Sequence, residues 1–421
     1  MKNYSHCNWS NNLDKVILFD NGAYEIKHST ANTKRKITKT QNCKFFEKMF
    51  NSDTAYFLDD IKEDIPLEHL SNINKNYSRP LSRGLLSDID LECEIWDHIL
   101  SKHYKDLSPS ESLFMFTHTP CAPDEVIKGY FQLLFEYFGF NALFKAIPHV
   151  FTALYARERY PDKINPLVQL VVDSGFSSTT LVPILDGRPI YNSIKRIDIG
   201  GKLLTNHLKE SLVNSIDLDI RKEFFLVNLI KEECCYVSKN FNLDMKISSL
   251  KDESNINKRI FILPEYRKKS EEFLKKMQQG KCSITMNNLR FLVPELIFNP
   301  SLVGLDEGGL QQGVGQIVQE CHNDYNNLFY SNIILSGGNS KFLNFKERLK
   351  SELVPLMNLN LVEGEEAIQI FDMDLSQGNN VEPVLAGMKL FARNLEMLKD
   401  LSISKQEYEE VGFNVVWKNC F

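Results

Sequence analysis

Two short segments of the chain pair an acidic side chain with a glycine turn in a way suited to holding phosphate. The first is Ile17-Leu18-Phe19-Asp20-Asn21-Gly22-Ala23-Tyr24-Glu25-Ile26-Lys27. The second is Leu170-Val171-Val172-Asp173-Ser174-Gly175-Phe176-Ser177-Ser178-Thr179-Thr180-Leu181-Val182. Each is an apolar run ending in Asp, then a short polar residue, Gly, and a second run of strand type. Asn-Gly is a favoured tight-hairpin dipeptide because both residues tolerate positive φ. Such a turn presents successive backbone N–H groups to one side and makes a small anion-binding concavity. Two facing turns would clamp a polyphosphate, with Asp20 and Asp173 holding a hydrated divalent cation. Mg²⁺ suits this, since it keeps most of its waters and binds few carboxylates directly. Lys27, on the outgoing strand, would reach a phosphate oxygen. One such hairpin is ordinary structure; the duplication is what points to phosphate.

A third element, Leu335-Ser336-Gly337-Gly338-Asn339-Ser340, puts a glycine pair after an apolar strand, where backbone can approach a ligand closely. Alone it reads as a tight turn. Other patterns fail on inspection. Ile199-Gly200-Gly201-Lys202-Leu203 lacks the upstream glycine and the hydroxyl residue of a P-loop. Gly313-Val314-Gly315 lacks the strand and spacing of a dinucleotide fingerprint. His98 and His103 are spaced wrongly for one helix face, and no Gly-x-Ser-x-Gly elbow is present.

The elements that must position these turns alternate strand and helix, which makes the chain an α/β protein. Val16 to Phe19 reads as a buried strand. A helix is predicted from Leu85 through Leu100, where Leu91, Ile95 and Ile99 recur at four-residue spacing. A second is predicted over 124–144, opened by Pro123, Asp124 and Glu125. Strands follow at Val168–Val172, Thr179–Leu185 and Ile190–Ile199, then helices at 202–213 and 221–238. Ile333-Ile334-Leu335 is a strand, and 341–353 a helix. Residues 1–14 read as a mobile extension, 32–79 as a small peripheral lobe and 239–285 as insertion-like.

Bulk composition limits the function classes. The chain has 421 residues, 43% hydrophobic and 25% charged, enough for a large bilobed unit of ordinary globular make-up. Its net charge of −6 lacks the basic stripe of a nucleic-acid binder. The runs Lys34-Arg35-Lys36 and Arg267-Lys268-Lys269 read as solvated faces. Nine cysteines without a Cys-x-x-Cys pair suit reduced thiols better than disulfides or zinc. No stretch approaches the roughly 18 apolar residues of a membrane span, and the opening residues lack the apolar core of a secretory signal.

The three glycine turns, in this order and at these separations, resemble the actin superfamily from about residue 15 to 421. Asp20-Asn21-Gly22 with Lys27 is similar to the family's first phosphate hairpin, and Asp173-Ser174-Gly175 to its second. Ser336-Gly337-Gly338-Asn339-Ser340 resembles the adenosine-side turn. Lys231-Glu232 resembles part of the helix covering the nucleoside, and Ile403 to Glu410 is close to actin's own C-terminal motif. The resemblance implies an actin-like fold, a ribonuclease-H-like unit duplicated into two lobes around a central nucleotide cleft. Lobe one would hold 15–155 and 384–421, with a peripheral insert at 42–79. Lobe two would hold 156–383, with a peripheral subdomain at about 200–285. The implied nucleotide contacts are Asp20, Asn21, Gly22, Lys27, Asp173, Ser174, Gly175, Lys231, Glu232, Gly337 and Gly338. The implied ligand is ATP or ADP, with Mg²⁺ held through water by Asp20 and Asp173.

A finer resemblance is to the class-six actin-related proteins, carried by Ile199 to Glu210, Asp20 to Tyr24, Val293 to Ser301 and Ser336 to Ser340. It implies a nuclear, structural subunit of a SWR-type remodeller that exchanges a variant histone. Its partners would be the motor subunit and a zinc-finger subunit, with nucleosome contact only through the complex and no membrane. A cytoplasmic pool is compatible with this. The departures from actin point away from catalysis. Pro148 or His149 stands where actin has its water-positioning Gln, Thr180 where it has a His, Ala23 for the Ser of the first turn, and Phe176 for the Asp after the second. Residues 45–78 do not resemble the loop that actin inserts into its neighbour. The competing reading is a divergent ATP-dependent filament protein; a sugar kinase or chaperone ATPase is disfavoured by the actin-like tail.

Overall fold

The computed structural model describes residues 9, 12–49, 52–56, 77–213, 220, 223–251, 253–263, 283–321, 323–357, 367–373 and 382–418. In chain order the first half contains β1 (Val16–Asn21), β2 (Glu25–Thr30), β3 (Thr38–Gln41), β4 (Lys44–Met49), β5 (Ser52–Tyr56), β6 (Tyr77–Ser78), β7 (Leu81–Ser82), β8 (Leu85–Leu86), α1 (Ile89–His103), β9 (Leu113–Thr117), α2 (Asp124–Phe131), β10 (Ala142–Ala146) and α3 (Pro148–Arg159). The second half begins with β11 (Val168–Ser174), β12 (Thr179–Leu185), β13 (Arg188–Pro189), β14 (Lys195–Ile197), α4 (Gly201–Val213), α5 (Phe224–Cys234), α6 (Phe241–Ser248), β15 (Arg259–Ile262) and β16 (Ser283–Met286). It continues through α7 (Leu289–Glu295), α8 (Leu310–Glu320), α9 (Asn326–Tyr330), β17 (Ile333–Ser336), α10 (Phe345–Leu353), β18 (Ile370–Asp372), α11 (Pro383–Ala392), α12 (Leu395–Leu401), β19 (Ile403–Ser404) and α13 (Lys405–Val411).

Two large sheets repeat one pairing scheme. The first runs β19-β10-β9-β1-β2-β3, and the second β13-β12-β11-β17-β18 with β14 beside β12. In the first, β1 is antiparallel to β2 and parallel to β9; in the second, β11 is antiparallel to β12 and parallel to β17. The central strands are covered on both faces, which is why they read as unbroken apolar runs. On β1, Ile17 and Phe19 enter one core cluster while Val16 and Leu18 enter another. On β11, Leu170 and Val172 face one cluster and Val171 the other.

Helix α3 joins the two halves. Its Phe151 packs in the core of the first sheet, while Ala153 and Ala156 pack in a core of the second. It crosses α11 so closely that a Cβ at Gly387 would collide with the Phe151 carbonyl. The C-terminal motif is held at Ser404, which closes a reciprocal capping box with Glu407 while β19 pairs with β10.

Several expectations are corrected. The first long helix begins at Ile89, where Asp88 caps it; Leu85 and Leu86 are strand. The helix over 124–144 ends at Tyr137, its last turns in π form, and Ala142–Ala146 is a central strand. Gly139, at φ +73°, makes that break. Ile190–Ile199 splits into a 3₁₀ turn at Tyr191–Ser193 and the short β14. The helix placed over 221–238 spans only Phe224–Cys234. The 341–353 helix starts at Phe345, after a 3₁₀ turn at Gly338–Lys341. Within the 1–14 extension Trp9 is fully buried, because its indole fills the core beside Val16 and Leu18. The peripheral segment 32–79 carries β3 to β6, and 239–285 carries α6 and β15, with β16 beginning at its end. Arg35 is structural, its guanidinium donating to the His103 carbonyl and lying 4.5 Å from the Tyr104 ring centroid. The run at 267–269 lies outside the described residues.

Candidate functional site

The two duplicated turns open onto one cavity of about 600 Å³. Asp20, Asn21, Gly22 and Lys27 line it from β1 and β2, and Asp173 and Gly175 from β11 and the turn after it. Gly337 and Gly338 enter after β17, and Lys231 and Glu232 from α5. Of the eleven implied contacts, Ser174 alone does not reach the cavity. It is buried, bonded to Thr179 Oγ1 at 2.9 Å and accepting from Asn339 Nδ2 at 3.2 Å. Asn339 also donates to the Gly175 carbonyl at 2.8 Å, so the third turn is tied to the second. Their approach is tight: Gly337 has φ +91°, and a Cβ there would overlap the Ser174 carbonyl.

The turns differ from the hairpin geometry expected of Asn-Gly. Among the described residues with positive φ, none of Asn21, Gly22 and Gly175 appears. Gly22 is needed for closeness instead, since a Cβ there would lie 2.6 Å from the Glu25 carbonyl oxygen. Three of the turn amides are used internally. Asn21 N–H donates to Thr117 Oγ1 at 3.0 Å, Gly22 N–H to the Asp20 carbonyl at 3.0 Å, and Gly175 N–H to the Ser178 carbonyl at 3.0 Å.

The charged groups are likewise engaged with one another. Asp20 lies opposite Lys27 in the β1–β2 register, as Asp173 lies opposite Thr180 in the second hairpin. Lys27 Nζ is 3.7 Å from Asp20 and 3.0 Å from Glu382, which also pairs with Lys39. Burial works against the Lys27 charge, but Asp20 and Glu382 outweigh it and hold the pKa above the usual lysine range. Asp20 also accepts from Thr117 Oγ1 at 2.8 Å, yet burial still raises its carboxyl above the ordinary value. Lys231 is turned to its own lobe, donating to the Gly201 carbonyl and Thr205 Oγ1, and burial lowers its pKa to about 8. Glu232 accepts from Asn228 at 2.7 Å. The lining contains Asp20, Glu25, Asp173, Glu232 and Glu382 against Lys27, Lys231 and Lys341, an excess of acid that opposes an anion arriving without a cation.

The residues at the water-positioning places are joined. His149 Nε2 is 2.7 Å from Thr180 Oγ1 and 4.0 Å from Asp173. Burial lowers the His149 pKa to about 3. Pro148 lines the cavity beside it and has no polar side chain to offer. Among the described residues no three metal-binding side chains converge, so a cation here would rest on Asp20, Asp173 and water. That donor set fits hydrated Mg²⁺.

Several residues that shape the site went unremarked in the sequence. Glu92 on α1 is fully buried and accepts from Asn21 Nδ2 at 2.6 Å. Its signal was a carboxylate on the stripe of Leu91, Ile95 and Ile99. Arg79 donates to the Ala23 and Tyr24 carbonyls at 3.0 Å each. Glu382 and Thr117 carry no local signal, because each meets its partner only through the fold.

The outside comparisons agree with this architecture. The actin family model matches residues 15–421. The chain is 31% identical to Actin-related protein 6 of Arabidopsis thaliana, covering 95% of this chain and 98% of that one. It is 28% identical to Actin-related protein 6 of Dictyostelium discoideum over 98% and 95%, and 27% identical to that of Oryza sativa subsp. indica over 94% and 96%. With two matching hairpin-centred sheets, a shared cavity between their turns and near full-length coverage on both sides, this chain belongs to the actin family, in the group of actin-related protein 6.

Proposed function

We propose that the chain is a non-catalytic structural subunit of a SWR-type nucleosome-remodelling complex that exchanges a variant histone. It works in the nucleus, held by the motor subunit and a zinc-finger subunit, and meets the nucleosome only through the complex. Remodeller membership is what the class-six resemblance implies. The absence of turnover rests on the protein's own chemistry. In this reading the cleft holds ATP or ADP with Mg²⁺ at Asp20 and Asp173 without efficient hydrolysis.

The observation that carries the non-catalytic part is the His149–Thr180 bond. Phosphoryl transfer to water depends on side chains that orient the attacking molecule and accept its proton. His149 is bonded to Thr180, and a pKa of about 3 makes it a poor proton acceptor at neutral pH. Pro148 cannot orient water. Affinity capture of the tagged chain from nuclear extract is expected to return the motor and zinc-finger subunits, and the purified chain to release no phosphate from Mg²⁺–ATP. Stoichiometric turnover that disappears in Asp20→Asn or Asp173→Asn would overturn this reading. A pellet on sedimentation with Mg²⁺–ATP would favour the filament alternative instead.

A further inference from the structure

The space between the two turns is spanned by aromatic carbon. Tyr24 lies two residues beyond Gly22, and Phe176 directly follows Gly175; both line the cavity, with ring centroids 5.0 Å apart. Arg79 braces the pair from behind. Its guanidinium sits 5.1 Å from the Tyr24 centroid and 5.0 Å from that of Phe176, while its N–H groups hold the Ala23, Tyr24 and Asn42 carbonyls. From the other lobe, Asn228 Nδ2 reaches the Tyr24 hydroxyl at 3.4 Å. Each cation–ring contact is favourable when shielded from water, and the tilted contact of the two rings, inclined at 45°, adds to it. The pair is therefore held from both sides of the cleft.

At the third turn there is space beside Gly338, where a Cβ would meet nothing within 4 Å. The aromatic pair occupies the space beside the first two turns, while the backbone at Gly338 leaves space beside the third. Lys27, across the hairpin from Asp20, has its charge matched by Asp20 and Glu382.

We propose that the Tyr24–Phe176 pair, braced by Arg79, selects the ligand: the cavity takes a nucleoside carrying two phosphates or fewer and excludes the terminal phosphate of a triphosphate. The proposal rests on the reading of this cavity as a nucleotide site. A third phosphate lodged between the turns would have to part the rings and displace the guanidinium from three carbonyls. A shorter ligand leaves the clasp intact.

The test is a calorimetric affinity ladder on the full chain with adenosine, AMP, ADP and ATP, each with Mg²⁺. Wild type is expected to bind ADP at least about tenfold more tightly than ATP. Tyr24→Ala and Phe176→Ala should narrow that ratio by about the same factor, while Tyr24→Phe, which keeps the ring, should preserve it. Equal or tighter binding of ATP by wild type overturns the proposal, as does a ratio unmoved by the alanine variants. Lack of binding by any member of the ladder overturns it too. Should the variants not fold, the wild-type ladder alone decides. Phosphate release on the same samples separates the two readings. ATP bound tightly but unhydrolysed sinks the clasp as selector and spares the scaffold, whereas turnover sinks the scaffold whatever the ratio.

Discussion

Replacing Glu92 by Gln tests how the first turn is supported. Glu92 sits beneath Asn21, whose Nδ2 donates to both Glu92 Oε1 and the Tyr130 hydroxyl. Burial raises the Glu92 pKa from 4.5 to about 8, while Asn21 and Asn42 pull the other way. The folded chain therefore keeps this carboxyl protonated at neutral pH, and the unfolded chain does not. With a raised folded pKa, the stability is fully present below pH 4.5 and is lost as the pH climbs to about 8. One proton corresponds to roughly 1.4 kcal/mol per pH unit, hence about 4–5 kcal/mol over that window as an upper figure. Urea unfolding of wild type and Glu92→Gln in steps between those limits measures it. His28, His118 and His149 titrate in both proteins and cancel in the difference. The added amide donors of Gln shift all points alike. The variant should gain on wild type by more than about 2 kcal/mol from the acid to the alkaline end. A difference that stays constant with pH would refute the argument, since Glu92 would then titrate like an exposed carboxylate.

Two further substitutions probe the frame around the cleft. Arg348 on α10 makes a two-pronged contact with the buried Glu295 of α7 at 3.0 and 2.9 Å and also donates to the Ser238 carbonyl. Arg348→Met should cost about 3–5 kcal/mol in urea unfolding, and Arg348→Met with Glu295→Leu should recover much of it, because the loss comes from an uncompensated buried charge. Gly387→Ala forces a methyl into the Phe151 backbone where α11 crosses α3. It should lower stability by roughly 3 kcal/mol or more, read as a fall in Tm, and a neutral result would mean that the helices slide apart freely.

The turns were legible because their information is local: Asp, a short residue and Gly between two apolar runs are adjacent in sequence. The central strands were legible for the same reason. Ala142–Ala146 was not, since a short run buried on both faces carries neither the strand period nor the helix period. Gly139 was the missed marker. What the cavity does with its charges was hidden more deeply. Lys27 reads as a free cation until Glu382 arrives from the far end of the chain. Ala23 and Phe176 read, from the sequence, only as departures from the phosphate-binding pattern of actin. That Phe176 meets Tyr24 depends on the turns of the two sheets being brought together, and that His149 meets Thr180 depends on α3 packing against the second sheet.

The contacts across the cleft share a direction, and it bears on the scaffold reading. A ligand shifts the balance between open and closed lobes only by its differential affinity for the two. Here the lobes are already joined by side chains of the protein itself. Tyr24 meets Phe176, Asn228 reaches Tyr24, and Phe225 meets Phe45 at a tilt and Tyr77 edge-on, with ring centroids 5.5 and 5.6 Å apart. Each contact stabilises this arrangement of the lobes without nucleotide and leaves a ligand less to drive. An enzyme that cycles would be slowed by such clasps at every release step. A subunit that offers a fixed outer face to its neighbours gains from them, because the face stays the same whether the cavity is filled or empty.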